Sequence, residues 1–141
     1  MLRIADGFLA SAVNGRIQWQ IPTVPAFGIT KAPWISAFTR SVAISTLLRA
    51  YQYTGATKYE DAATAAFYWL TAPVSQGDLK SDDIGTWLEE YPTQSEAVPN
   101  GHVFNGNVWP LFGVWNYLGP RSLTDAQYRC RTSSVRGFLA R

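Results

Sequence analysis

The chain has 141 residues, 47% of them hydrophobic and only 16% charged, a composition that excludes disorder and fits one domain burying about two thirds of its unfolded surface. The net charge of +2 hides an asymmetry, because five of the 12 basic residues are arginines in the last 21 positions and the remainder is acidic on balance. The one-sided basic field of a nucleic-acid binder is therefore missing, and no nucleic-acid partner is expected.

A single cysteine, Cys130, rules out an intrachain disulfide and a cysteine-built metal site. Met1 to Val13 is interrupted by Asp6-Gly7 well below signal-peptide length, and no stretch approaches the ~20 apolar residues of a membrane helix. As written, the chain reads as soluble and as a fragment that begins inside a helix.

In chain order, Ala5, Phe8, Leu9, Ala12 and Val13 share one helical face, with Asn14-Gly15 as a left-handed stop. Ile17, Trp19 and Ile21 alternate with polar neighbours ahead of Pro22 and Pro25, which predicts a short extended connection rather than a sheet. From Ile35 to Tyr53, the residues Phe38, Val42, Ile44, Leu47, Leu48 and Tyr51 follow helical spacing between Pro33-Trp34 and Thr54-Gly55. Apolar residues on two sides predict an inner helix. Thr57-x-x-Glu60 has the form of a capping box, followed by a third helix with Tyr59, Ala62, Ala63, Ala66, Phe67 and Leu70 on one face.

Gly77 to Gly85, carrying Asp78, Asp82 and Asp83, reads as a polar loop that leads into "WLEEYPTQSEAVPNG", Trp87 to Gly101. Pro92 and Pro99 oppose a helix there, so Glu89, Glu90 and Tyr91 are expected on or beside a loop. Val108, Leu111, Phe112, Trp115 and Leu118 predict a last helix facing inward, with Pro110 tolerated in its first turn. Residues 120–141 form an arginine-rich, weakly patterned tail. The sum is an all-α chain of antiparallel helix pairs with one short extended segment.

Three stretches in this order, "APWISAFTRSVAISTLLRAYQYTGATKYEDAA", "WLEEYP" and "FNGNVWPLFGVWNYL", resemble the C-terminal catalytic domain of the D-glucuronyl C5-epimerases. The matching runs are Trp34-Ile35-Ser36-Ala37, Ala43 to Tyr51, Thr54-Gly55, Glu89 to Pro92, and Asn105-Gly106 to Gly113, within residues 14–118. The chain departs from the family pattern at Arg40-Ser41, where Gln-Gly is usual. It also offers Asn100-Gly101 as well as Asn105-Gly106 for one Asn-Gly; the second keeps the distance to Gly113. It ends before a distal Trp-Asp-Tyr-His segment and lacks N-terminal β-rich domains, as a fragment would.

The resemblance implies an incomplete α/α toroid over residues 1–119, and conversion of D-glucuronic to L-iduronic acid units in a heparosan or heparan-type polysaccharide by proton removal and return at C5. That chemistry implies no cofactor and no metal. Glu90 and Tyr91 are the expected catalytic pair. If the segment is extended, adjacent side chains point opposite ways, so one enters a cleft while the other packs behind. The plainer reading has Glu89 or Glu90 capping a segment or pairing with an arginine, and Tyr91-Pro92 plugging a loop.

Arg49 is a candidate for bidentate pairing with a uronate carboxylate, or else a salt bridge between helices. Asn105 is a candidate for a sugar hydroxyl, or else a cap. Trp34 and Trp87 are candidates for lining the cleft, and Glu89 completes the substrate-binding set. Trp69, Trp109 and Trp115 are expected in the core. His102, the sole histidine, has no nucleophile or metal partner in view and reads as a loop residue. Two rival functions stand beside the epimerase: a polysaccharide lyase or glycosidase on the same architecture, and a truncated remnant that binds polysaccharide. Uncovered helix flanks predict self-association or dependence on further domains.

Overall fold

The computed structural model describes residues 1–12, 19–23, 32–81, 83, 85–92 and 102–119. The described part is mostly helical: α1 (Leu2–Ala10), α2 (Ala37–Thr54), α3 (Thr57–Thr71), α4 (Phe104–Val108) and α5 (Pro110–Leu118), with one antiparallel hairpin of β1 (Leu79–Ser81) and β2 (Thr86–Leu88). Asn14-Gly15 and the tail of residues 120–141 lie outside the described residues.

Helix α2 is the inner element and packs against α1, α3 and α5. It buries Ala37, Arg40, Ser41, Ala43, Ile44, Leu47, Leu48 and Ala50. Gly55 ends it at φ +70°, a conformation glycine adopts without steric cost, and the two-residue turn sends α3 back along it as a helical hairpin. Helix α3 buries the six residues its periodicity predicts, Tyr59, Ala62, Ala63, Ala66, Phe67 and Leu70.

The expected capping box does not form. Thr57 already lies inside α3, whose N-cap is Ala56 with no side-chain cap hydrogen bond. The Thr54 hydroxyl instead accepts from the Ala56 amide (3.2 Å) and donates to the Ala50 carbonyl (2.7 Å), so the preceding helix end supplies the ordering.

Helix α1 ends at Ala10, and Ser11 donates back to the Gly7 carbonyl (2.8 Å). Asp6 ties it to α3, accepting from Tyr59 Oη (2.8 Å) and Lys58 Nζ (3.0 Å). Of the expected extended connection, Ile17 and Pro25 lie outside the described residues; in its described part Ile21 and Trp34 exchange backbone hydrogen bonds in an isolated antiparallel bridge, and Trp19 is buried in an edge-to-face contact with Phe8.

Two expectations fail. The "polar loop" contains β1, and Asp78 is completely buried. The last helix is turned round. It breaks at Trp109 into α4 and α5, which bury Gly106, Pro110, Gly113 and Tyr117 and expose Val108, Leu111, Phe112 and Trp115. Close approach of α5 to α2 requires small residues at the seam: the Gly113 amide donates to Ser41 Oγ (3.0 Å), and a Cβ there would fall 2.7 Å from Ser41 Cα. Tyr117 closes the far end by stacking on Phe67 at 4.1 Å. Phe38 and Val42 on α2 face the same exposed side and are not core.

Candidate active site

The hairpin and the N-termini of α2 and α4 meet around the segment Trp87–Tyr91. Its backbone is held from several directions. The Glu89 amide donates to the Asp78 carbonyl (2.7 Å), the Glu89 carbonyl accepts from the Ala37 amide (3.0 Å), and Asn107 Oδ1 on α4 accepts from the Leu88 amide (2.9 Å). Because Asp78 lies one residue before β1 and Ala37 opens α2, these bonds set Glu89 at the junction of sheet and inner helix.

Beneath the junction, Arg40 Nη1 lies 2.9 Å from Asp78 Oδ2, with the two side chains 1% and 0% exposed. Burial pushes the Asp78 carboxyl up to about 7, only partly opposed by the guanidinium, and burial also lowers the Arg40 value. Two charges removed from water in this way are expensive unless paired. Arg40 therefore requires Asp78, and the pair anchors the turn into the hairpin to the inner helix.

Above it, Glu89 is itself buried, with 2% of its side chain exposed, and its Oε1 lies 2.7 Å from His102 Nδ1. The His102 imidazole stacks on Trp87, 4.8 Å between centroids at 18°. The next two residues form a second pair. Glu90 packs on Gly106, where a Cβ would come within 2.5 Å of Glu90 Cβ and Oε2. Burial first, and then the neighbouring Glu90 carboxylate, push the Tyr91 phenol above its ordinary value. The Tyr91 ring leans on Trp34 at 4.9 Å. Glu89, paired with His102, and the adjacent Glu90 and Tyr91 thus share one tightly held segment.

A family model described as D-glucuronyl C5-epimerase C-terminus matches residues 11–136. The chain belongs to this family.

The other expected site residues of this C5-epimerase C-terminal chain divide into those at the junction and those away from it. Glu89, Glu90, Tyr91, Trp34 and Trp87 are brought together. The chain bends at Glu90 and Tyr91, so the extended backbone on which opposite-pointing side chains were expected does not form there. Asn105 is exposed on α4, and its neighbour Asn107 makes the hydrogen bond to the hairpin.

Arg49 is exposed and lines a groove of about 310 Å³ with Phe38, Ser45, Trp109 and Phe112. It lies 12 residues along α2 from Ala37, roughly 18 Å by helical rise. Trp109 and Trp115, expected in the core, are 54% and 69% exposed, because α5 presents its glycine seam inward.

Sequence reasoning missed His102, Asp78 and Asn107. Asp78 had one available signal: an arginine within the buried register of an inner helix needs a carboxylate partner. Among the described residues no three His, Cys, Asp or Glu side chains group as a metal site, and no helix is long and apolar enough to cross a membrane.

Proposed function

We propose that this chain acts on uronic-acid-containing polysaccharide of the heparosan or heparan type, converting D-glucuronic to L-iduronic acid units by removing and returning the C5 proton. The observation that carries the reading is the half-buried Glu90–Tyr91 pair, with Glu90 packed on Gly106 and the Tyr91 phenol held above its ordinary value by burial and by that carboxylate, within a chain of the C5-epimerase family. The C5 hydrogen is α to a carboxylate, so its removal yields an enolate-like dianion, which a protonated neighbour must stabilise and quench.

Tyr91 suits that task. Burial and the Glu90 carboxylate both favour its protonated form, and Trp34 fixes its ring. Glu90, as the carboxylate, takes the C5 proton while the C–H electron pair passes into the uronate carboxylate, and Tyr91 O–H returns a proton to C5. Trp87 borders the place a sugar would occupy, Glu89 lies buried behind it, and Asn105 and Arg49, both exposed, would meet sugar hydroxyls and a uronate elsewhere along the same polymer. This chemistry uses no cofactor. We read α2, α3 and α5 as part of an α/α toroid over residues 1–119, with 120–141 as a tail.

Incubation with heparosan-type polysaccharide in D₂O tests the reading, with deuterium at uronate C5 read by NMR. Deuterium uptake without chain cleavage, lost in Glu90→Gln and in Tyr91→Phe, is the expected result. Unsaturated product absorbing in the ultraviolet would assign a lyase instead, and glycan binding without exchange would assign a binding module.

A further inference from the structure

Two residues that follow one another on α2, Arg40 and Ser41, hold opposite walls of the site, and we infer that both are positioning residues for the Glu89–Tyr91 segment. Their effect on rate rests on the epimerase reading above. Their effect on the position of Glu89 can be measured without activity.

Successive residues of a helix project about 100° apart, so these neighbours reach different partners. Arg40 Nη1 meets Asp78 Oδ2 at 2.9 Å, both side chains being buried. Asp78 is also the residue whose carbonyl accepts from the Glu89 amide (2.7 Å), so the ion pair fixes the hairpin wall of the segment. Ser41 turns to the other wall. Its hydroxyl donates to the Trp109 carbonyl (3.4 Å) and accepts from the Gly113 amide (3.0 Å), which ties α2 to the joint where α4 passes into α5. Helix α4 in turn carries Asn107, which accepts from the Leu88 amide (2.9 Å), and Gly106, on which Glu90 packs.

Stability alone does not account for the ion pair. A buried pair contributes little net stability, and apolar residues of similar volume in its place are often neutral or stabilising. Here the pair carries an added cost, because Arg40 Nε and Asp78 Oδ1 are buried and make no hydrogen bond among the described residues. What an apolar contact lacks is direction. A guanidinium on a carboxylate holds its partner at one distance and orientation, and Asp78 transmits that constraint to Glu89 through a single backbone hydrogen bond. Proton transfer at C5 is sensitive to such placement, since a shift of about 1 Å originating away from the chemistry can lower a rate about 10²-fold.

Replacing the pair by apolar residues separates positioning from support. Arg40→Met with Asp78→Leu is expected to unfold in urea at or above the wild-type midpoint. In the D₂O assay the same folded chain should show kcat lowered about 10²-fold with KM little changed. Ser41→Ala, which introduces no charge change, should lower kcat by a smaller factor, again with KM little changed. It carries the test if the double variant does not fold.

A second readout follows the segment directly. His102 is the only histidine, and its Nδ1 lies 2.7 Å from Glu89 Oε1, so its ring resonances in NMR spectra report where Glu89 stands. They should move in both variants. A folded variant with wild-type kcat would overturn the inference, and so would a lowered kcat with unmoved His102 resonances, since displacement of the segment would then not be the cause. No exchange by the folded wild-type chain would defeat the epimerase reading instead. The His102 resonances then decide alone: moved in the folded variants they uphold the positioning role, unmoved they defeat it.

Discussion

Gly106 on α4 lies so close to Glu90 that a methyl group on its Cα would fall 2.5 Å from both Glu90 Cβ and Oε2. The contact includes the Cβ, which cannot swing away as a carboxylate end can, so Gly106→Ala must displace either α4 or the Glu90 side chain. Since the Glu90 carboxylate, after burial, helps to hold the Tyr91 phenol above its ordinary value, that influence goes with it. The expected outcome is a Tyr91 phenol titrating at lower pH than in wild type, seen by ultraviolet difference spectroscopy, at a stability cost of about 1–3 kcal/mol in urea unfolding. An unchanged Tyr91 titration would show that the glycine has no hold on the pair.

The Arg40–Asp78 pair makes stability depend on pH in a stated direction. Folding raises the Asp78 value from 3.8 to about 7, so between those values the folded chain holds a proton that the unfolded chain lacks. This contribution therefore favours folding at the acid end of the window and is lost as pH rises toward 7, at up to about 1.4 kcal/mol per pH unit. Urea unfolding from pH 5 to 8 should show wild-type stability falling relative to Asp78→Asn, with the difference levelling off above pH 7. Above pH 7, where Asp78 is ionised, Asp78→Asn leaves a buried guanidinium uncompensated and should cost about 3–5 kcal/mol; adding Arg40→Met should restore part of that loss.

How much of this was legible in the sequence depends on what periodicity can report. The buried face of helix α3 was readable because its single apolar stripe packs chiefly on one partner, α2. The α5 stripe of Leu111, Phe112 and Trp115 was equally visible but assigned to the wrong side: periodicity says that a stripe seeks cover, not that this neighbour supplies it. Gly106 and Gly113 determine the packing instead, through backbone approach that hydropathy does not register. At the site, Glu89, Glu90 and Tyr91 were legible as a cluster because they are adjacent. His102 was not, because a 13-residue separation carries no local signal and its partner is defined only by the return of the chain. The bend at Glu90–Tyr91 was hidden for the same reason.

The α2–α5 seam should be intolerant where an ordinary helix would not be. At Gly113 an added methyl group would sit 2.7 Å from the Ser41 backbone, whereas at Gly7 in α1 it would meet nothing within 4 Å. Gly113→Ala is expected to destabilise by about 1–3 kcal/mol, and Gly7→Ala to stabilise by about 0.5–1 kcal/mol as a helix-interior glycine is replaced. Denaturant titration of the two single variants checks the contrast. Equal effects would mean that the seam yields.

The outward face of α4 and α5 carries Phe104, Val108, Trp109, Leu111, Phe112 and Trp115 in the open, continuing onto Phe38 and Val42 of α2. Contiguous apolar surface of this kind drives association when nothing covers it, so the chain on its own should sediment as more than a monomer or bind a hydrophobic dye strongly. Leu111 and Trp115 make little core contact, so Leu111→Lys with Trp115→Lys should leave unfolding within about 0.5 kcal/mol per site. The same pair should shift sedimentation toward monomer and reduce dye binding. If both lysines leave the mass distribution unchanged, association arises from another surface; if they collapse the fold, α5 buries the face that its periodicity first suggested.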